Sequence, residues 1–383
     1  MIGVAILGVG DIANIHIEVF QKLSGRCEIR ALADLYTEKA EEKKKKYQLD
    51  CDIYRDYHEI LNRDDIQLVS ICLPPSMHCE TAVDFLKKGI HVLCEKPMAP
   101  TLEECDKMIA ASEEGGAYLS VIAQNRFKTD IMKTKQLLDS GKLGKLYFAQ
   151  ANSQWWRGDN YYDLWWRGTW AKEGGGCTFI HAVHHIDLLL WLMGEVKEVF
   201  SLVDNQNHGN SEVEDISIST IRFKNGAVGS LVSSLLHHGE SQRFTIDAEK
   251  GTIEIPHKIA VSRQLENGYP ESDEEAAKAL EESFKAYPDL VYTEHDGQIE
   301  NMIAALEQNK KPLICGEDGR RTIELIAGIY QSAFTGRPTA FPMTEKDAFY
   351  TKDGIMQHVV RFHEKKKSVE NYADVGISTG GSL

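Results

Sequence analysis

Several features that would each fix a function class are missing from this sequence. No apolar run approaches the roughly eighteen residues of a membrane-crossing helix, so none is expected. No basic stretch and cleavage site precede the first apolar run, residues 4–7, so no secretory leader is expected either. The eight cysteines are scattered and none stands in a Cys-x-x-Cys pair. That leaves no structural zinc framework and suggests reduced, mostly buried thiols in a cytoplasmic protein. Positive charge is not in excess: 43 Lys and Arg face 58 Asp and Glu, a net charge of −15. A nucleic-acid partner needs a basic face, so none is expected. There is no His-Glu-x-x-His and no internal repeat. What remains is ordinary: 383 residues, 42% hydrophobic and 26% charged, enough for two domains with their own cores.

The first third alternates strand and helix patterns. Strand 4–7 runs into Gly8-Val9-Gly10-Asp11-Ile12-Ala13, followed by an apolar helix pattern through Ile17 and Phe20. In that setting Gly8 makes a tight turn, Gly10 lets a pyrophosphate reach the helix N-terminus, and Ala13 permits close packing on the sheet. A tight turn with no ligand is the plainer alternative. A second strand, residues 29–33, ends in Asp34, which can accept hydrogen bonds from ribose hydroxyls and would repel a 2′-phosphate. NAD rather than NADP is therefore expected. A third strand, residues 68–73, is nearly all apolar, as a buried parallel strand should be. It stops at Pro74-Pro75, where Ser76 is expected to cap a helix that carries His78 in its first turn. Strand 91–94 then leads to Glu95-Lys96-Pro97. A lysine there lies at the sheet edge where α/β proteins bind ligands, or it is a surface residue before a turn-forming proline. After strand 118–123 the chain changes character, and the boundary is placed at residues 1–125 and 126–383.

The second part holds an unusual stretch, residues 155–170, with five of the six tryptophans. Aromatic faces interleaved with Arg157 and Arg167 suit a sugar ring and its hydroxyls; an aromatic loop packed for structure is the alternative. Gly174-Gly175-Gly176 precedes a predicted helix from Cys177 through Trp191. On it His181, His184 and Asp187 recur every three residues, near one face. His181 and His185 are an i,i+4 pair without an obvious third metal ligand, and no metal is expected. Strands are predicted over residues 214–223, 227–236, 243–248 and 252–255, and helices over 298–309 and 320–335. The small polar positions Ser217, Ser219 and Thr245 are expected on a flat outer face suited to another subunit. A Gly- and Ser-rich end, residues 376–383, reads as a loose tail or exchanged arm.

Taken together, Gly8-x-Gly10-x-x-Ala13, the Pro74/His78 loop, Glu95-Lys96-Pro97, the three glycines with His184 and Asp187, and the late Asp318-Gly319-Arg320 helix resemble the family of glucose-fructose oxidoreductase and inositol dehydrogenase. The Trp-Arg-Gly-Thr-Trp segment resembles the branch acting on sugars or nucleotide sugars. The resemblance implies an α/β protein: a Rossmann dinucleotide-binding domain, then an α/β domain with a large, mostly antiparallel open sheet that forms homodimers or homotetramers. It implies NAD contacts at Gly8, Gly10, Asp11, Ile12, Asp34, Leu73, Pro74, His78, Glu95 and Lys96. Lys96 and His184 would be catalytic, with Arg157, Tyr161, Trp166, Arg167 and His181 joining them on a sugar or cyclic polyol. One departure stands out: where the family has Asp or Asn four residues before the histidine, this chain has Ile180, so His181 or Asp187 would have to orient His184. Two other classes fit the same fold, a non-catalytic NAD and sugar sensor and an NAD-dependent glycoside hydrolase.

Overall fold

The computed structural model describes residues 1–370; the predicted tail lies outside them. In chain order the first elements are β1 (Ile2–Leu7), α1 (Asp11–Lys22), β2 (Cys27–Ala33), α2 (Thr37–Tyr47), β3 (Asp52–Tyr54), β4 (Leu68–Ile71), α3 (Pro75–Leu86), β5 (His91–Cys94), α4 (Leu102–Gly115) and β6 (Leu119–Val121). Next come α5 (Thr129–Asp139), β7 (Leu146–Trp156), α6 (Cys177–Ile180), α7 (Val183–Met193), β8 (Val196–Asp204), β9 (Ile216–Phe223), β10 (Val228–Ser234), β11 (Leu236–Ala248) and β12 (Gly251–Ile255). The chain continues with β13 (Lys258–Ala260), β14 (Ser262–Gln264), β15 (Pro270–Ser272), α8 (Glu274–Lys285), α9 (Glu294–Gln308), α10 (Gly316–Thr335), β16 (Thr339–Ala340) and α11 (Lys352–His358).

Two compact units result. The first contains Met1–Gln124 together with Tyr292–Ile323; the second contains Asn125–Val291 and the chain from Glu324 onward. Segment 292–323, placed by sequence in the second domain, thus groups with the first. The reason is packing: Ile299, Met302 and Ile303 of α9 share one buried cluster with Val4, Ile6, Ile17 and Phe20. Gln298 adds a polar link. Its side-chain amide accepts from Ala123 N–H (2.8 Å) and donates to Val121 C=O (2.8 Å), giving the edge strand β6 the partners a further strand would supply.

In the first unit six parallel strands lie in the order β3-β2-β1-β4-β5-β6. The order reverses direction beside β1, and ligands of such sheets bind at the carboxyl ends of the strands there. β4 is buried along its whole length. α3 begins at Pro75 with Pro74 as its cap and no side-chain capping bond, so the expected Ser76 cap is not used. Proline suits the first helical position, because that N–H would be unsatisfied anyway.

The second unit is built on eight strands in the order β13-β12-β11-β7-β10-β9-β8-β16, antiparallel except for the β10–β7 pair. α6 and α7 pack on one face of it, against β7, β9 and β10. Register shows which side chains point to them: Phe244 lies opposite Ala151, Ala151 opposite Leu231, and Leu231 opposite Ser219. Ser217 and Ser219 therefore face inward and are fully buried, contrary to the expected outer placement. Small side chains fit the closely packed side, and Ser201 Oγ–H donates to Ser219 Oγ at 2.8 Å. The outer face instead carries Phe200, Leu202 and Ile218, which are 49%, 58% and 46% exposed. Among the described residues no helix is long and apolar enough to cross a membrane. All eight cysteines are free thiols, six of them buried.

Candidate functional site

The first unit supplies a glycine turn with two different demands. Gly8 has φ +86°, and a Cβ there would stand 2.7 Å from the Cys72 carbonyl oxygen, so only glycine fits. Gly10 has no such constraint, since a Cβ there would meet nothing within 4 Å. It precedes the twelve-residue helix α1, whose first turn no side chain caps. Open space in front of unsatisfied helix N–H groups fits a pyrophosphate. Gly10→Ala should therefore leave the unfolding transition unchanged but weaken NAD binding by about tenfold or more, since backbone approach to the phosphates is lost; calorimetry of NAD binding beside a urea melt checks both halves.

Asp34 follows β2. One carboxylate oxygen accepts from Val9 N–H (2.8 Å) and the other from Tyr36 N–H (2.9 Å). Each oxygen keeps a lone pair for a ribose hydroxyl, and the charge opposes a 2′-phosphate. Asp11 is exposed and Ile12 half-buried in the first turn of α1; past β4, Leu73 is half-buried and Pro74 exposed. His78 is placed differently from expectation. It has no exposed surface, and its ring spans the carbonyls of Leu73 (2.8 Å) and Pro97 (2.9 Å). Burial lowers its pKa, which the two carbonyls partly offset. It links the chain after β4 to the chain after β5 through these two carbonyls.

Glu95 is likewise buried, 5% exposed, while the next residue, Lys96, is half-buried. The Glu95 carboxylate accepts from His16 Nε2 (2.9 Å) and from the Lys96 backbone N–H (3.1 Å). Burial would push it up, but His16, His295 and Lys96 hold it down at about 2. His16 and His295 escaped the sequence reading. A signal was present: Ala13, His16, Ile17 and Phe20 form one buried stripe on α1, and a histidine in such a stripe needs a partner.

The second unit gathers the aromatic and histidine residues. The predicted single helix is broken: α6 ends at Ile180, His181 caps it, and α7 starts at Val183. At the break His181 N–H and Ala182 N–H both donate to the Cys177 carbonyl (3.1 and 2.9 Å). His184 is half-buried on the first turn of α7. Asp187 is buried and accepts two hydrogen bonds from Arg126 (2.8 and 2.6 Å).

Three buried contacts explain the glycines before α6. Glu214 accepts from Gly176 N–H (3.0 Å), Thr178 N–H (3.0 Å) and Tyr330 O–H (2.9 Å). A Cβ on Gly175 would stand 2.3 Å from the Tyr330 hydroxyl.

The Arg167 guanidinium lies between the rings of Tyr161 and Trp166, 4.1 and 4.3 Å from their centroids. It donates to the Tyr161 hydroxyl and to Glu173 (3.3 Å). Burial pushes Glu173 up to about 7, against the pull of Arg167 and the Gly168 N–H. Tyr161 Oη also lies 3.5 Å from His181 Nε2. Arg157 stacks beside Trp155 and Tyr161 and pairs with Glu240 at 3.1 Å. Both arginines thus already hold a carboxylate. The tryptophans divide: Trp155 and Trp170 are buried in packing, while Trp156 and Trp165 are exposed and Trp166 is half-buried. Only the latter three can offer a face to a ligand.

Comparison with known proteins agrees with this geometry. Residues 2–123 match the model of an oxidoreductase family with an NAD-binding Rossmann fold, GFO/IDH/MocA, and residues 131–254 match that family's C-terminal domain. A myo-inositol 2-dehydrogenase from Thermotoga maritima is 25% identical over 84% of this chain and 93% of its own length. A levoglucosan dehydrogenase from Pseudarthrobacter phenanthrenivorans is 29% identical over 52% of this chain and 57% of its own. The WlbA dehydrogenase from Bordetella pertussis, solved with NADH and UDP-GlcNAcA, superposes with a TM-score of 0.77 at 26% identity, covering 90% of this chain and 98% of that one. The glycine turn at the head of α1, the parallel sheet behind it and both family matches lead to one assignment: this chain belongs to the GFO/IDH/MocA family of NAD-binding oxidoreductases.

Proposed function

We propose that this oxidoreductase acts on a hydroxyl-bearing carbon of a sugar, sugar derivative or cyclic polyol, with Lys96 and His184 as its catalytic residues. When bound, NAD supplies the acceptor for the hydride leaving that carbon. Gly8, Gly10 and the N-terminus of α1 hold the pyrophosphate, Asp11 and Ile12 border it, and Asp34 holds the adenosine ribose. His184 takes the hydroxyl proton, as an imidazole with a pKa near working pH can. Lys96 supplies a hydrogen-bond donor from the end of β5. Arg157, Tyr161, Trp166, Arg167 and His181 bind the remaining hydroxyls or an anionic substituent.

The observation that carries this reading is Lys96 itself: a half-buried lysine at the carboxyl end of β5, next to a buried ionised carboxylate, in a sheet whose glycine turn is open in front of Gly10. The test is NADH formation from NAD⁺ across inositols, free sugars, sugar acids and nucleotide sugars. Stoichiometric NADH and ketone establish the reaction. Tight NAD⁺ binding with no NADH from any of them would count against it and favour a sensor or an NAD-dependent hydrolase.

The outer face of the eight-stranded sheet supports a second part of the proposal, a homodimer or homotetramer. Leu202 lies opposite Ile218, and Ile218 opposite Val232, so apolar side chains adjoin across three strands. Such a patch marks an interface. Leu202→Glu should shift the species seen in sedimentation velocity toward monomer; an unchanged monomer in the parent protein would remove this part.

A further inference from the structure

Three titratable side chains from distant parts of the chain meet behind Lys96. His16 on α1 has no exposed surface; its Nδ1 lies 2.8 Å from Ser70 Oγ and its Nε2–H donates to Glu95 Oε1 at 2.9 Å. The other Glu95 oxygen accepts the Lys96 backbone N–H. His295, in the first turn of α9, places Nε2 3.9 Å from Glu95 Oε1, and the two histidine rings meet edge to face at 5.9 Å. The three groups are close enough to be read as a metal site. The 2.9 Å spacing, however, is that of a hydrogen bond, shorter than the roughly 3.3 Å between two ligands about 2 Å from a tetrahedral ion.

We propose that His16 is a positioning residue of the reaction: its hydrogen bond holds the Glu95 carboxylate against the Lys96 backbone and keeps a negative charge beside the Lys96 side chain. The proposal rests on the reading that Lys96 acts in turnover. The groups that bear on the His16–Glu95 pair are Cys72 after β4, His78 on α3, Cys94 on β5, Lys96 and His295. Burial drives His295 down to about 4, so it is neutral at working pH and leaves His16 as the main partner of Glu95 within the core. Burial also works to raise Glu95, and the His16 hydrogen bond and charge are the largest opposing influence. Without His16 the Glu95 carboxyl takes up a proton at a higher pH than in the parent enzyme, because a buried carboxylate short of partners is raised by several units. Below that pH the negative charge beside Lys96 is gone; above it the charge returns.

The test is kcat against pH for the parent enzyme, His16→Leu, His16→Gln and Lys96→Ala, with NAD⁺ binding and thermal melts alongside. His16→Leu should turn over roughly ten- to hundredfold more slowly than the parent at about pH 6, the size of a hydrogen bond to a charged group, and recover toward it at about pH 9. His16→Gln, whose amide can still donate to Glu95, should stay within about threefold at both. A loss of folded protein would lower turnover at both pH values by the same factor. Parallel profiles for His16→Leu and the parent, with Lys96→Ala inactive, overturn the proposal and spare the reading of Lys96. Full turnover by Lys96→Ala overturns that reading first. If His16→Leu does not fold, Glu95→Gln takes its place: it should be slow at every pH without recovery, and parent-like turnover by it overturns the proposal.

Discussion

Lys96→Ala and His184→Ala should each lower kcat by about 10²- to 10⁴-fold, the usual contribution of a positioned proton donor or acceptor, while NAD⁺ still binds. The two residues come from separate units. Lys96 stands two residues past β5, and its backbone N–H is held by Glu95, so removing the side chain beyond Cβ leaves that anchor in place. His184 sits on the first turn of α7, and alanine is compatible with that helix. A fall in kcat with an unchanged dissociation constant for NAD⁺, from stopped-flow turnover and calorimetry, is the expected pattern. Loss of NAD⁺ binding in Lys96→Ala would instead make Lys96 a cofactor anchor only.

The second large effect concerns the glycines that aim α6. A Cβ on Gly176 would lie 1.9 Å from the Glu214 carbonyl oxygen and 2.8 Å from its side-chain oxygen. Backbone cannot yield there, since Glu214 is fully buried and holds Gly176, Thr178 and Tyr330 at once. Gly176→Ala must therefore push the start of α6 away. The strain of overpacking, about 1–3 kcal/mol, adds to the loss of charge-assisted hydrogen bonds at about 1.5–3 kcal/mol each. A destabilisation of about 3 kcal/mol or more in urea unfolding is expected, with turnover falling as well because α7 and His184 follow α6 closely. Gly10→Ala is the contrasting case: its added Cβ meets open space.

Much of the first unit was legible because its signals are local. The glycine turn, the nearly all-apolar β4 and the Glu-Lys-Pro end of β5 each declare themselves within a few residues. The second unit was harder to read. Its strands alternate, but alternation does not say which phase faces the helices, and Ser217 and Ser219 were assigned to the wrong side. Small polar residues resemble a solvent face by composition; packing against α6 and α7 is what buries them. The tryptophan-rich stretch was read either as a sugar-binding aromatic surface or as a loop packed for structure, and burial splits it between the two, with Trp170 donating its indole N–H to the Glu212 and Val360 carbonyls.

The sequence by itself determined the oxidoreductase class and the dinucleotide turn, because those depend on residue type at short spacing. Tertiary structure decided the rest. It returned segment 292–323 to the first unit, since Ile299, Met302 and Ile303 complete that unit's core and Gln298 closes its edge strand. It also brought His16, Glu95 and His295 together. A buried carboxylate must find its partners in space, wherever they stand in the chain.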